Sequence, residues 1–121
     1  MLVAIDIDGT LTAYPDVFRT MAGVLRQAGH PVVLLTGATD PRCQPGFVHD
    51  PPNRLAQVTP LLGGLVLPIV EVHGRDGPEN ARLKGEYCRD NQVALFVDDD
   101  PGFCDFVRHL SPDTCCLRAC S

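Results

Sequence analysis

Asp6 and Asp8 stand two apart at the end of an apolar run, Leu2 to Ile7, and a second acidic run, Asp98-Asp99-Asp100, follows another apolar stretch, Val93 to Val97. Two carboxylates at i and i+2 project to the same side of an extended strand end. Bringing Asp6, Asp8, Asp98 and Asp99 within about 4 to 6 Å of one another is unfavourable unless a cation compensates them. A hard divalent ion does so, and Mg²⁺ favours a few carboxylates together with water and phosphate oxygens. Lys84 offers a fixed positive charge, while the Thr36 hydroxyl and the backbone N–H groups around Gly37 can donate to phosphate. With Mg²⁺ and Lys84 neutralising the approach of two anions, an Asp carboxylate can attack phosphorus. Asp6 is then the expected nucleophile and Asp8 the group that moves the proton.

The elements that must position these groups follow from hydrophobic patterning. Leu2–Ile7 reads as a buried parallel strand that turns at Gly9, and the region from Asp16 to Ala28 carries Val17, Phe18, Met21, Val24 and Leu25 at helical spacing. Val32–Leu35 is a second strand ending at Thr36-Gly37. The stretch from Ala38 to Pro52 has the Pro, Asp and Gly content of a surface loop. Asn53 is placed to cap a helix through Leu55 and Val58 that Pro60 must kink or end. Leu65–Val72 reads as a third strand, at an edge because Pro68 cannot donate to an interior ladder. A helix from Glu79 to about Asp90 carries Lys84, and a fourth strand, Val93–Val97, runs into the acids. Asp100 before Pro101 is a helix cap, Phe103, Phe106, Val107 and Leu110 form the stripe behind it, and Thr114–Leu117 is a short fifth strand. Alternating strands and helices predict a doubly wound, Rossmann-like α/β fold with about five parallel strands, in one domain spanning 1–121. In such sheets ligands bind beyond the carboxyl ends of the strands, where all the candidate residues fall.

Ten basic and fifteen acidic residues give a net charge of −5, and without Asp6, Asp8, Asp98, Asp99 and Asp100 acids and bases balance. This charge disfavours sequence-blind attraction to nucleic acid or to anionic membrane. No apolar run approaches the roughly 20 residues that cross a bilayer, and the opening Met1–Ile5 lacks the basic lead of a secretory signal, so the expected location is cytoplasmic. The six cysteines are then expected to be reduced and to act mainly as small apolar filling.

Taken in order, Asp6-Ile7-Asp8-Gly9-Thr10-Leu11-Thr12, Leu35-Thr36-Gly37, Lys84 and Val97-Asp98-Asp99 resemble the four motifs of the haloacid dehalogenase superfamily of phosphohydrolases. The resemblance implies a magnesium-dependent phosphomonoesterase with an aspartyl-phosphate intermediate on Asp6. It implies Asp8 as acid/base, Thr36 and Gly37 as phosphate ligands, Lys84 as a charge clamp, and Asp6, Asp8, Asp98 and Asp99 around Mg²⁺. Asp99 is favoured for direct metal contact, with Asp100 and Asp105 as alternatives. The short intervals from Thr12 to Thr36 and from Gly74 to Lys84 leave no room for an inserted cap domain, so the chain resembles the small capless branch. The expected partner is a phosphorylated small molecule or macromolecule end, with a homo-oligomer possible, and the 38–52 loop, His73 and Arg75 are placed to border the open site.

A phosphoacceptor receiver-like domain is the first alternative, although receivers order their acids, hydroxyl and lysine differently along the chain. A catalytically inactive regulatory module of the same fold class is the second. Turnover of phosphate esters separates both from a hydrolase.

Overall fold

Five strands, β1 (Leu2–Ile5), β2 (Val32–Gly37), β3 (Ile69–Val72), β4 (Val93–Asp98) and β5 (Cys115–Arg118), are all parallel in one sheet of order β3-β2-β1-β4-β5. The computed structural model describes residues 1–38 and 53–120. Within these, four helices join the strands: α1 (Pro15–Gln27), α2 (Arg54–Leu62), α3 (Gly77–Asp90) and α4 (Pro101–Leu110). The doubly wound α/β expectation is met, and β3 is an edge strand as expected, with Pro68 just before it. Arg42, Cys43, His49 and the rest of the expected loop beyond Ala38 lie outside the described residues.

Alternation along the central strands divides the interior into two layers. Val3, Ile5, Val32 and Leu34 face Phe18 and Ala22 of α1 and Val58 and Leu62 of α2. Ala4, Val33, Leu35 and Phe96 face the other way, onto Cys88 of α3 and Cys104 and Val107 of α4. Gly85 lets α3 and α4 approach, because a Cβ there would lie 2.8 Å from Leu110 Cδ1 and 3.1 Å from the Phe106 carbonyl oxygen.

The order places β2 and β3 on one side of β1 and β4 and β5 on the other. The direction of winding therefore reverses between β1 and β4, which opens a crevice at their carboxyl ends. Register fixes what lines it: Ile5 pairs with Leu34 and with Val97, and the Asp6 N–H continues the ladder to the Val97 carbonyl at 2.9 Å. Asp6, Thr36 and Asp98 consequently emerge side by side.

Local chemistry moves several boundaries. Helix α2 runs two residues past Pro60 to a left-handed Gly63, and Asn53 caps it by accepting from the Ala56 N–H at 3.0 Å. β3 begins only at Ile69; Pro68 donates nothing, but its carbonyl accepts from Leu34 N at 2.8 Å. Helix α3 starts at Gly77, two residues earlier than its spacing predicts, because the Asp76 carboxylate accepts from Glu79 N and Pro78 suits the first turn.

Candidate functional site

The turn after β1 builds the first wall of the site. Gly9 has φ +77, a left-handed conformation open to glycine, and a Cβ at that position would be driven into the Asp99 carboxylate. The turn thus needs a glycine twice over, for its backbone angle and for its approach to the end of β4. Thr10, completely buried, lies with Oγ1 3.3 Å from both Asp6 Oδ2 and Asp99 Oδ1, within reach of donating to either.

Helix α3 delivers Lys84, only 1% exposed, from the opposite side. Its Nζ donates to Asp6 Oδ1 at 2.8 Å and to Asp98 Oδ2 at 3.0 Å, and lies 4.5 Å from the centre of the Phe103 ring. The second Asp98 oxygen accepts from the Asp100 N–H at 3.0 Å. Asp100 in turn caps α4 through the Gly102 and Phe103 N–H groups at 2.8 and 3.2 Å, as its place before Pro101 predicts.

Carboxylate oxygens of Asp6, Asp98 and Asp99 lie within 4.8 Å of one another. Three carboxylates against one ammonium leave an excess of two negative charges in a largely buried place. Burial pushes the Asp6 carboxyl up from 3.8 to about 8; Lys84 pulls it down, but Asp98 and Asp99 add to the rise. Asp98 is raised as well, first by burial, against the pull of Lys84 and the Asp100 N–H. Burial alone would lower the Lys84 ammonium, yet Asp6 and Asp98 together hold it above its ordinary value. Burial and mutual repulsion thus disfavour the charged form of these carboxyls, and a divalent cation would fit both the charge and the oxygen donors.

These groups line a cavity of about 260 Å³ together with Asp8, Thr36, Gly37, Gly77, Asn80, Asp100 and Phe103. Asp6, Asp8, Thr36, Gly37, Lys84, Asp98 and Asp99 are thus at one cavity, but they play unequal parts. Thr36 is buried in its wall. Asp8 is half-exposed and held on both oxygens, by Arg54 Nη1 at 2.7 Å and Gln57 Nε2 at 2.9 Å, outside the converging trio. Asp105 is on the exposed side of α4, 3.5 Å from Arg108. His73 and Arg75 do not line the cavity; Arg75 pairs with Glu79 at 2.7 Å and His73 lies 3.7 Å from Glu71.

The fold is shared with a solved structure. Over 98% of both chains it matches a universal stress protein from Archaeoglobus fulgidus, with a TM-score of 0.52 and 12% identity. A protein of the universal stress protein family from Burkholderia pseudomallei aligns over 98% of this chain and 96% of its own, with a TM-score of 0.48 and 17% identity. No protein-family model matches the chain, and no curated protein matches it. The likeness, at these identities, shows the fold alone.

The solved structure that shares this fold is a universal stress protein and not a haloacid dehalogenase phosphohydrolase, which corrects the expected family. The hydrolase expectation is withdrawn with it: a magnesium-dependent phosphomonoesterase turning over esters through an aspartyl phosphate on Asp6. The physical reason lies in topology. In a sheet of this order β1, β2 and β4 end at one edge, so polar residues following those strands gather there whatever chemistry ensues. The ordered acids, hydroxyl and lysine specify strand ends and a charge cluster; they do not specify a reaction.

Arg54, Gln57 and Asn80 were not singled out by the sequence, and Thr10 stood in its first motif with no role assigned. Asn80 and Lys84 carried a usable signal, four residues apart on the face of α3 that also buries Ala81, Gly85 and Cys88. Polar side chains on a buried helix face need partners there. No such signal marks Arg54, 4% exposed, which meets Asp8 and the Gly37 carbonyl through tertiary structure alone. Among the described residues no helix is long and apolar enough to cross a membrane.

Proposed function

We propose that the cavity is a binding site for Mg²⁺, held by Asp6, Asp98 and Asp99, and for the phosphate group of a phosphorylated small molecule or macromolecule end beside it. The observation that carries this reading is the convergence of three carboxylates within 4.8 Å of one another, two of them paired to a single buried ammonium. A divalent cation brings that cluster to neutrality, and Mg²⁺ commonly keeps coordination positions for phosphate oxygens. Thr36, Gly37 and Lys84 line the same cavity and supply the hydroxyl, backbone and ammonium chemistry that phosphate accepts. The function proposed is metal-dependent recognition of a phosphorylated ligand by a binding module.

Calorimetric titration tests it in two steps, Mg²⁺ into the protein and then inorganic phosphate with and without Mg²⁺. One Mg²⁺ per chain is expected, lost in Asp98→Asn, with phosphate binding only to the Mg²⁺-loaded wild type. Equal Mg²⁺ binding by the variant, or phosphate binding indifferent to Mg²⁺, would overturn the proposal.

A further inference from the structure

Beside the acidic cavity lies a second groove of about 240 Å³, lined by Gly77, Pro78, Ala81, Asp100, Gly102, Phe103 and Phe106. Gly77, Asp100 and Phe103 border both, so the two are continuous between the starts of α3 and α4. Their chemistry is opposite. The side chains of the groove are apolar apart from Asp100, whose Oδ1 is already engaged by the Gly102 and Phe103 N–H groups. Phe103 is shared in a second sense: its ring lies over the Lys84 ammonium and also walls the groove. Phe106 is 38% exposed, one of seven large apolar side chains open to solvent among the described residues.

We infer that this groove is the seat for the apolar body of the ligand, and that the module selects phosphate monoesters and phosphonates bearing aryl or longer alkyl groups over phosphorylated sugars. The inference rests on the phosphate-binding reading above. A ligand anchored by its anionic end near Lys84 can pass over the Gly77–Phe103 saddle into the groove, where a flat ring meets Phe103, Phe106 and Pro78. A polyhydroxylated body in the same place would give up water for carbon surfaces and leave its hydroxyls without partners, at a cost that opposes binding.

Calorimetry with saturating Mg²⁺ tests this with phenylphosphonate, methylphosphonate and ribose 5-phosphate, the two phosphonates being free of a hydrolysable ester bond. Phenylphosphonate is expected to bind about tenfold more tightly than methylphosphonate, as removal of roughly 55–60 Å² of ring surface from water gives. Phe106→Ala is expected to shrink that ratio to about threefold or less and leave methylphosphonate unchanged, while Phe106→Leu keeps most of it. Equal binding of the two phosphonates, ribose 5-phosphate as tight as phenylphosphonate, or equal loss for both phosphonates in Phe106→Ala would overturn the aryl or alkyl preference while the phosphate site stands. If no phosphonate binds the Mg²⁺-loaded protein, the phosphate site fails and the preference fails with it.

Discussion

Replacing Lys84 with methionine removes the positive charge that faces Asp6 and Asp98 and keeps most of the stem volume. The side chains of Lys84 and Asp98 are each 1% exposed and that of Asp6 is 7% exposed, so water cannot take over the lost role. Breaking a buried ion pair on one side costs about 3–5 kcal/mol. For a domain of this length that is a fall of roughly 10–20 °C in the unfolding midpoint. The pH dependence has a definite sign. In the folded wild type the Asp6 carboxyl is raised from 3.8 to about 8, so its contribution to stability is complete below about 3.8 and is lost as pH climbs through about 8. In Lys84→Met the Asp98 carboxyl must also retain a proton, which adds a penalty of about 1.4 kcal/mol per pH unit above the ordinary carboxylate range. Thermal and urea unfolding followed by circular dichroism at pH 6 and pH 8, with and without Mg²⁺, measures this. The variant should lose more at pH 8 than at pH 6 and should recover part of the loss in Mg²⁺. A midpoint within about 2 °C of wild type at pH 8, or a loss that does not change with pH, would refute the charge reasoning.

Two further outcomes follow from geometry. Gly9→Ala forces a side chain into a left-handed position against the Asp99 carboxylate; it should cost at least about 1–2 kcal/mol of stability and weaken Mg²⁺ binding, and a variant with wild-type unfolding and Mg²⁺ affinity would show the turn to be dispensable. Cys88 and Cys104 are buried and pushed up to about 12 by that burial, whereas Cys115 and Cys120 are exposed, so alkylation of the native protein at pH 8 followed by peptide mapping should label Cys115 and Cys120 and spare Cys88 and Cys104. Rapid labelling of Cys88 would contradict the packing of α3 against the sheet.

Most of the fold was legible because continuous apolar runs and helical stripes are local signals. The alternation of Val3, Ala4 and Ile5 records which residues face α1 and α2 and which face α3 and α4. Pro68 correctly marked an edge, and Asn53 and Asp100 marked caps, since each acts through its own neighbours. Boundaries slipped where a side chain reached further: Asp76 accepts from Glu79 N and so starts α3 early. At the site, the residues fixed by strand ends were legible, while those brought by tertiary contact were not. Arg54 reaches Asp8 across 46 positions, and no pattern around Arg54 announces it. The expected family failed for a related reason, since an acidic cluster at a sheet's carboxyl edge is a consequence of strand order and charge placement, which several chemistries and simple binding share.

The central claim is that Asp6, Asp98 and Asp99 form one divalent-cation site. Crystals grown with Mn²⁺ as a Mg²⁺ surrogate and measured for anomalous scattering locate the ion directly. One strong anomalous peak is expected in contact with carboxylate oxygens of these three residues, absent in Asp98→Asn. No peak at the cluster in a well-ordered crystal, or Mn²⁺ held only by exposed acids such as Asp105 or Asp113, would contradict it.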